Sequence, residues 1–368
     1  MENGTTSFAP GRICLFGEHQ DYHGLPVIAG AIDLGLYIEF KGYRDDQKIS
    51  IDMPDIEKHR VIDIEYPIEY IKKRDYLASS LNVLERNGIK ITKGFNCELR
   101  GTLPIEAGAS SSSAMVVCWL NFLSNLVTNG VEDKVQLAKW ANHAEVVEFG
   151  EAGGWMDHVT SSVGGLLFIN ADFSINAFQV PDNFHLVLGD SLEKKETVEN
   201  LRTMRTTVEE QVKEILSLDP GFKINKKGYF TDEFIENNKD KGWCLKEEFP
   251  MVYANLMNAS ITLQAREVFK NQGMLDGNIV VDKIGDLLNE HHHYLRDYLG
   301  ISTDKIESLI EASLNAGASG CKINGSGFGG CMFTLCKNTE IQENVAQAID
   351  GEGGKSYKIK ISPGSRLL

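Results

Sequence analysis

Between Pro10 and Gly24 the sequence PGRICLFGEHQDYHG brings Arg12, Glu18, His19, Asp21 and Tyr22 into one short segment. Donors, acceptors and a ring at that density suit a polyol. Apolar Ile13, Leu15 and Phe16 precede Gly17, so a short buried strand would deliver the charged residues to its end, where polar ligand contacts tend to lie. A merely solvated turn would account for the charge but not for the density.

Three further segments carry chemistry. In LPIEAGASSSSAM, Gly108 and the serines Ser110, Ser111, Ser112 and Ser113 stand immediately before an apolar run with helical spacing. Small residues let backbone N–H groups approach oxygens, and a helix N-terminus favours negative charge, so the pattern reads as an anion loop. Helix capping explains one serine, not four. The serine loop carries no GK[ST] sequence, which disfavours a Walker-type phosphate loop. In AEVVEFGEAGGWMDH, Glu145 and Glu148 close an amphipathic helix and Asp157 follows a Gly-Gly turn. Phosphoryl transfer to an alcohol needs Mg2+ on the phosphate oxygens and a carboxylate for the hydroxyl proton. Spacing alone does not single out Asp157, and Glu148 and Glu151 are expected to be solvated. GASGCKINGSGFGGCMFTL places Gly325, Gly327, Gly329 and Gly330 between two strand-like runs, by itself a weak phosphate signal because hairpins also use glycine.

The first segment resembles the opening motif of galactokinases, members of the GHMP family of small-molecule kinases. The P-x-x-x-G-x-S-S-S pattern at Pro104–Ser112 resembles that family's ATP loop, and the glycine run from Gly325 resembles its third motif. The resemblance implies that Arg12 lies near the transferred phosphoryl group and that Glu18, His19 and Asp21 hold sugar hydroxyls. Gly108 and Ser110 to Ser113 would bind ATP, and the metal-binding serine falls on Ser112, within one residue of register. Galactokinases carry a Glu in a helix and an Asp twelve residues later, a separation reproduced by Glu145 and Asp157. That implies Glu145 as Mg2+ ligand, Asp157 as catalytic carboxylate and Gly154 as a backbone contact to sugar. His158 replaces the family's usual Gln, Ala109 its Leu, and Leu201 falls at or near a Tyr that galactokinases use. Lys194 or Lys195 could meet a substrate carboxylate or a phosphate, although lysines there are more often plain surface residues.

The elements that must position these residues follow from pattern and composition. At 368 residues the chain is long enough for two cores, and its 42% hydrophobic and 24% charged content is that of an ordinary globular protein. Alternation marks strands over Ile28–Phe40, Ile49–Met53 and Val61–Ile64, a largely antiparallel region, with helices over Ser112–Val127 and Glu132–Phe149. After a strand at Leu186–Leu188 the second half is mainly helical, over Thr197–Leu216, Met251–Asn271 and Lys283–Leu299. The boundary is placed near residue 180, giving domains 1–180 and 181–368, and the polar stretch Asp219–Glu247 reads as an exposed connection or a lid. His291 to His293 read as helix surface, since three consecutive histidines diverge on a helix and suit no single zinc.

A net charge of −15 argues against nucleic acid and anionic membranes. Seven scattered cysteines without a CxxC pair read as reduced, mostly buried thiols, and no apolar run is long enough to span a bilayer, so a cytoplasmic location is expected. Together these readings predict an α+β, two-domain GHMP kinase fold with its active site in the cleft between domains. The resemblance implies an ATP- and Mg2+-dependent kinase acting on the anomeric hydroxyl of a galactose-like sugar, as monomer or homodimer. The alternatives are a kinase for another small sugar or a uronic acid, and a non-catalytic sugar and ATP sensor.

Overall fold

A computed structural model describes residues 2–104, 108–194, 197–218 and 246–368. Its first strand, β1 (Thr6–Phe16), is buried almost throughout. Because side chains alternate across a strand, Ile13 and Leu15 join a core shared with the second half of the chain, while Cys14 packs with Val159 and Leu167 on the other face. The strand pairs antiparallel with β2 (Val27–Tyr43) and slips register between Pro10 and Arg12. Proline cannot donate to a ladder and is placed at such irregularities. Here Arg12 turns its own amide outward to the carbonyl of Ala109, 3.2 Å away, which ties the strand to the serine loop.

The first sheet runs β12-β1-β2-β5-β3-β4, with β6 (Leu166–Ile169) and β7 (Ile175–Phe178) attached through β2. The strands β3 (Lys48–Met53), β4 (Lys58–Asp63) and β5 (Phe95–Gly101) extend it, and the β3–β5 pair alone among these is parallel. The two-residue β12 (Arg366–Leu367) returns from the end of the chain to pair with β1. Against this sheet lie α1 (Tyr76–Arg86), α2 (Ser111–Val127), α3 (Lys134–Asn142) and α4 (Met156–Val163). Trp119 and Phe122 of α2 meet Phe40 and Phe95 of the sheet in one aromatic cluster.

The second sheet is the antiparallel array β11-β8-β10-β9, formed by Lys355–Ile359, His185–Asp190, Cys331–Cys336 and Gly320–Ile323 respectively. Helices Gly277–Asp297, Asp304–Asn315 and Thr339–Gly351 pack against it, while Pro250–Lys270 lies on Gly277–Asp297 and reaches β1 and β2 of the first sheet; α5 (Thr197–Leu218) packs on Pro250–Lys270. The predicted strands and helices are found in their predicted places, and the fold is α+β. One difference concerns Glu132–Phe149: α3 stops at Asn142 and the chain continues as one wide π-type turn, His143–Val147. The Ser79 hydroxyl donates to the Ala144 carbonyl at 2.7 Å, and Glu148 N–H bonds back five residues to His143. Such turns interrupt helices where side chains must be re-aimed. Most of the polar stretch Asp219–Glu247 lies outside the described residues, as does Lys195; Lys194 is exposed. The six described cysteines are all buried thiols. Among the described residues no helix is long and apolar enough to cross a membrane.

Candidate active site

A cavity of about 600 Å³ lies where the end of β1, the start of α2, the start of α4 and the Gly325 loop meet. Its lining includes Arg12, Glu18, His19, Asp21, Gly108, Ser110 to Ser113, Glu145, Gly154 and Asp157. Every site residue read from the sequence therefore faces one space. Leu201 lines it too, as do Tyr76, Arg74 and His158.

Arg12 organises the centre. Its Nε and Nη2 donate to Asp157 Oδ1 and Oδ2 at 2.7 and 3.0 Å, a two-point pair, and its Nη1 donates to the Gly108 carbonyl at 2.7 Å. Asn324 Nδ2 donates to the same carbonyl at 3.1 Å. A side chain at Gly325 would place its Cβ 2.7 Å from that oxygen, so the third motif packs on the serine loop only as glycine. Burial works against an ionised Asp157, but the Arg12 charge, the Ser110 hydroxyl and His158 outweigh it and hold the carboxyl below its ordinary pKa.

The serine loop enters α2 through Ser110, whose backbone is left-handed at φ 64° and whose side chain does not cap the helix. The first-turn amides therefore receive no side-chain cap from Ser110, the N-cap residue, and anions are favoured at such an end. Glu145, on the π-type turn, meets the ring of His158 with Oε2 2.8 Å from Nε2. The donor set suits Mg2+, which is typically held by one or two carboxylates with phosphate oxygens and water. Ser112 is exposed at the cavity wall, on the same helix end.

Across the cavity Asp21 accepts from the amides of Tyr22 (2.9 Å) and Met156 (3.1 Å). A Cβ on Gly154 would fall 1.8 Å from Asp21 Oδ2, which explains the glycine. Burial, and then the nearby Asp157 charge, push the Asp21 pKa up to about 6. His19, left-handed at φ 60°, has its Nδ1 2.6 Å from the Tyr22 hydroxyl and its Nε2 3.1 Å from the Ser326 carbonyl. With Nε2–H donating to Ser326, Nδ1 accepts from Tyr22. The ring thus shapes the wall with both nitrogens engaged. Glu18 forms an ion pair with Lys322, and both are essentially without exposure.

Lys322 is a residue sequence reasoning missed; its signal was a lone cation inside the apolar β9 run. Two expectations are corrected. Glu148 and Glu151 are not solvated: Glu148 takes Arg86 and the Tyr70 hydroxyl, and Glu151 takes Arg74. Their partners come from α1 and the loop before it, remote in sequence. The histidine run is not helix surface, because His291 and His292 are buried and only His293 is exposed. His292 is set between Glu307, 2.8 Å away, and the Ile323 amide.

Three family models match the chain: the galactokinase galactose-binding signature over residues 2–41, the GHMP kinases N terminal domain over 70–165 and GHMP kinases C terminal over 279–355. The mevalonate kinase of Thermococcus sibiricus is 30% identical, with 96% of this chain and 95% of that protein covered. The galactokinase of Lacticaseibacillus paracasei is 26% identical over 97% and 90%. Among solved structures, Lactococcus lactis galactokinase complexed with galactose aligns with TM-score 0.83 at 22% identity, covering 99% of this chain and 95% of that one. Methanococcus jannaschii mevalonate kinase aligns with TM-score 0.71 at 19% identity, covering 98% of each.

Proposed function

The chain belongs to the GHMP kinase family, and on that premise we propose that it phosphorylates the anomeric hydroxyl of a neutral, galactose-like sugar. The observation that carries the reading is the pairing state of the cavity wall. Both arginines of the described lining are engaged, Arg12 by Asp157 and Arg74 by Glu151, while Asp21 turns a carboxylate toward the acceptor side. A hydroxyl donates to such a wall, whereas a substrate carboxylate would meet like charge. The galactose-binding signature over 2–41 supports the same choice. The mevalonate kinases among the relatives make mevalonate the acceptor to test against it.

In this reading Gly108 and the α2 amides with Ser110 to Ser113 cradle the ATP phosphates. Ser112 and Glu145 would hold Mg2+, which when bound would neutralise phosphate charge. His158 orients Glu145. Asp157, kept ionised by Arg12, orients the acceptor hydroxyl and takes its proton, while Arg12 stabilises charge on the group in transit. Asp21 and the Gly154 backbone meet the sugar, while His19 shapes the wall and Glu18, paired with Lys322, holds the turn that carries His19 and Asp21.

ADP release measured with galactose, galacturonate, arabinose, glucose, mannose, fucose, heptoses and mevalonate tests the reading. Turnover with galactose or another neutral sugar is expected; turnover with mevalonate alone, or with galacturonate alone, overturns it. No ADP with any acceptor would favour a sensor.

A further inference from the structure

The acceptor turn hangs from a glycine. β1 ends at Phe16, and Gly17 (φ +104°) begins the turn that carries Glu18, His19 and Asp21. A Cβ at Gly17 would lie 2.6 Å from Val27, so no other residue fits, yet glycine leaves the chain free to swing. Some contact must choose the direction in which the turn departs. The Gly17 amide donates to His291 Nε2 at 3.0 Å, across 274 residues of sequence.

His291 has no exposed surface, and its ring meets Phe16 edge-on with centroids 5.8 Å apart. Because Nε2 accepts, the ring proton sits on Nδ1, which is buried without a hydrogen-bond partner. Burial first, and then the charges of Lys322 and His292, disfavour a second proton on the ring. The neutral imidazole is therefore a fixed acceptor. One residue further along the turn, Glu18 is held by Lys322 of β9. Two neighbouring residues of the turn are thus gripped from the second half of the chain, one by its amide and one by its carboxylate.

We propose that His291 is a positioning residue for the acceptor subsite: its Nε2 holds the Gly17 amide and so sets the orientation of Glu18, His19 and Asp21, without touching substrate. This rests on the sugar-kinase reading for its kinetic consequence, but not for its structural one. In His291→Leu the buried Gly17 amide loses its acceptor, while in His291→Gln the side-chain oxygen reaches the place of Nε2.

The test is steady-state kinetics together with hydrogen exchange of the peptide spanning Gly17 to Tyr22, on the full chain. His291→Leu should raise the acceptor KM on the order of tenfold, the effect of an unmet buried donor, leave the ATP KM within about twofold, and speed exchange in that peptide. His291→Gln should restore both. Equal losses for acceptor and ATP, unchanged acceptor KM in His291→Leu, or a folded His291→Gln that fails to restore exchange protection would each overturn the proposal. Should the wild-type protein phosphorylate no sugar, the function reading fails, while the exchange comparison still decides the role of His291.

Discussion

At the centre of the cavity Arg12 lies against Asp157 and keeps it ionised, whereas on the acceptor side Asp21 is held by two backbone amides and is pushed up to about 6. Both carboxylates line the same cavity, Asp21 buried and Asp157 partly exposed, and the Asp157 charge is one of the causes that raise Asp21. A guanidinium within bonding distance separates them. Carboxyl groups driven apart in this way take different tasks, one poised as a charged base and one able to share a proton with hydroxyl ligands. Glu18 shows the third possibility, a carboxylate closed off by a buried ammonium.

The strongest way to break the comparison is Asp157→Asn, which removes the proposed base and leaves Arg12 without its charged partner. Turnover should fall by about 10²- to 10⁴-fold, while calorimetry should find sugar binding largely intact. Wild-type turnover would remove Asp157 from the chemistry. A second test acts on the closed pair. Lys322→Met leaves the Glu18 charge buried without compensation and should cost about 3–5 kcal/mol of stability in denaturant unfolding. Adding Glu18→Gln should return much of that loss; if Lys322→Met alone is neutral, the pair is not the clamp described.

The smallest effect sharpens the contrast through pH. The folded pKa of Asp21 is raised, so the folded protein binds this proton more tightly than the unfolded chain does. Its contribution to stability is present below the ordinary carboxylate range and is lost as pH rises through about 6. Acceptor binding should run the other way, since the ionised carboxylate accepts hydroxyl hydrogens at both oxygens. The acceptor kcat/KM should therefore climb between about pH 5 and pH 7, and Asp21→Asn should flatten that limb. A limb that persists in the variant would assign it to another group.

Much of the site was legible because its chemistry is local. Arg12 to Tyr22 and the serine loop are runs of residues whose types announce donors, acceptors and a helix N-terminus, whereas Glu145 and Asp157 are singled out only by the resemblance to galactokinases. The chain order of the motifs then carried the fold. What escaped were groups whose meaning depends on a partner far away in sequence. Lys322, a lone lysine in an apolar strand, carries no reading of its own until Glu18 is placed beside it. His291 reads as helix surface because consecutive residues diverge, although a helix packed on two sides buries two of three. Glu148 and Glu151 read as solvated because Tyr70, Arg74 and Arg86 lie more than sixty residues upstream. The π-type turn at Glu145 has no composition signal either, since the Ser79 hydroxyl that takes the Ala144 carbonyl comes from α1.

By itself the sequence determined the α+β class, because strand alternation and helix periodicity are properties of neighbouring residues, and the resemblance of its motifs determined the family and the segments that meet in the cavity. Only the tertiary structure decided the charge of each group. Whether a carboxylate is paired by Arg12, closed off by Lys322 or left to two amides depends on which group reaches it and on how little water remains, and both arise only in the folded chain: Asp157 meets Arg12 within the first half, and Glu18 meets Lys322 across the two halves.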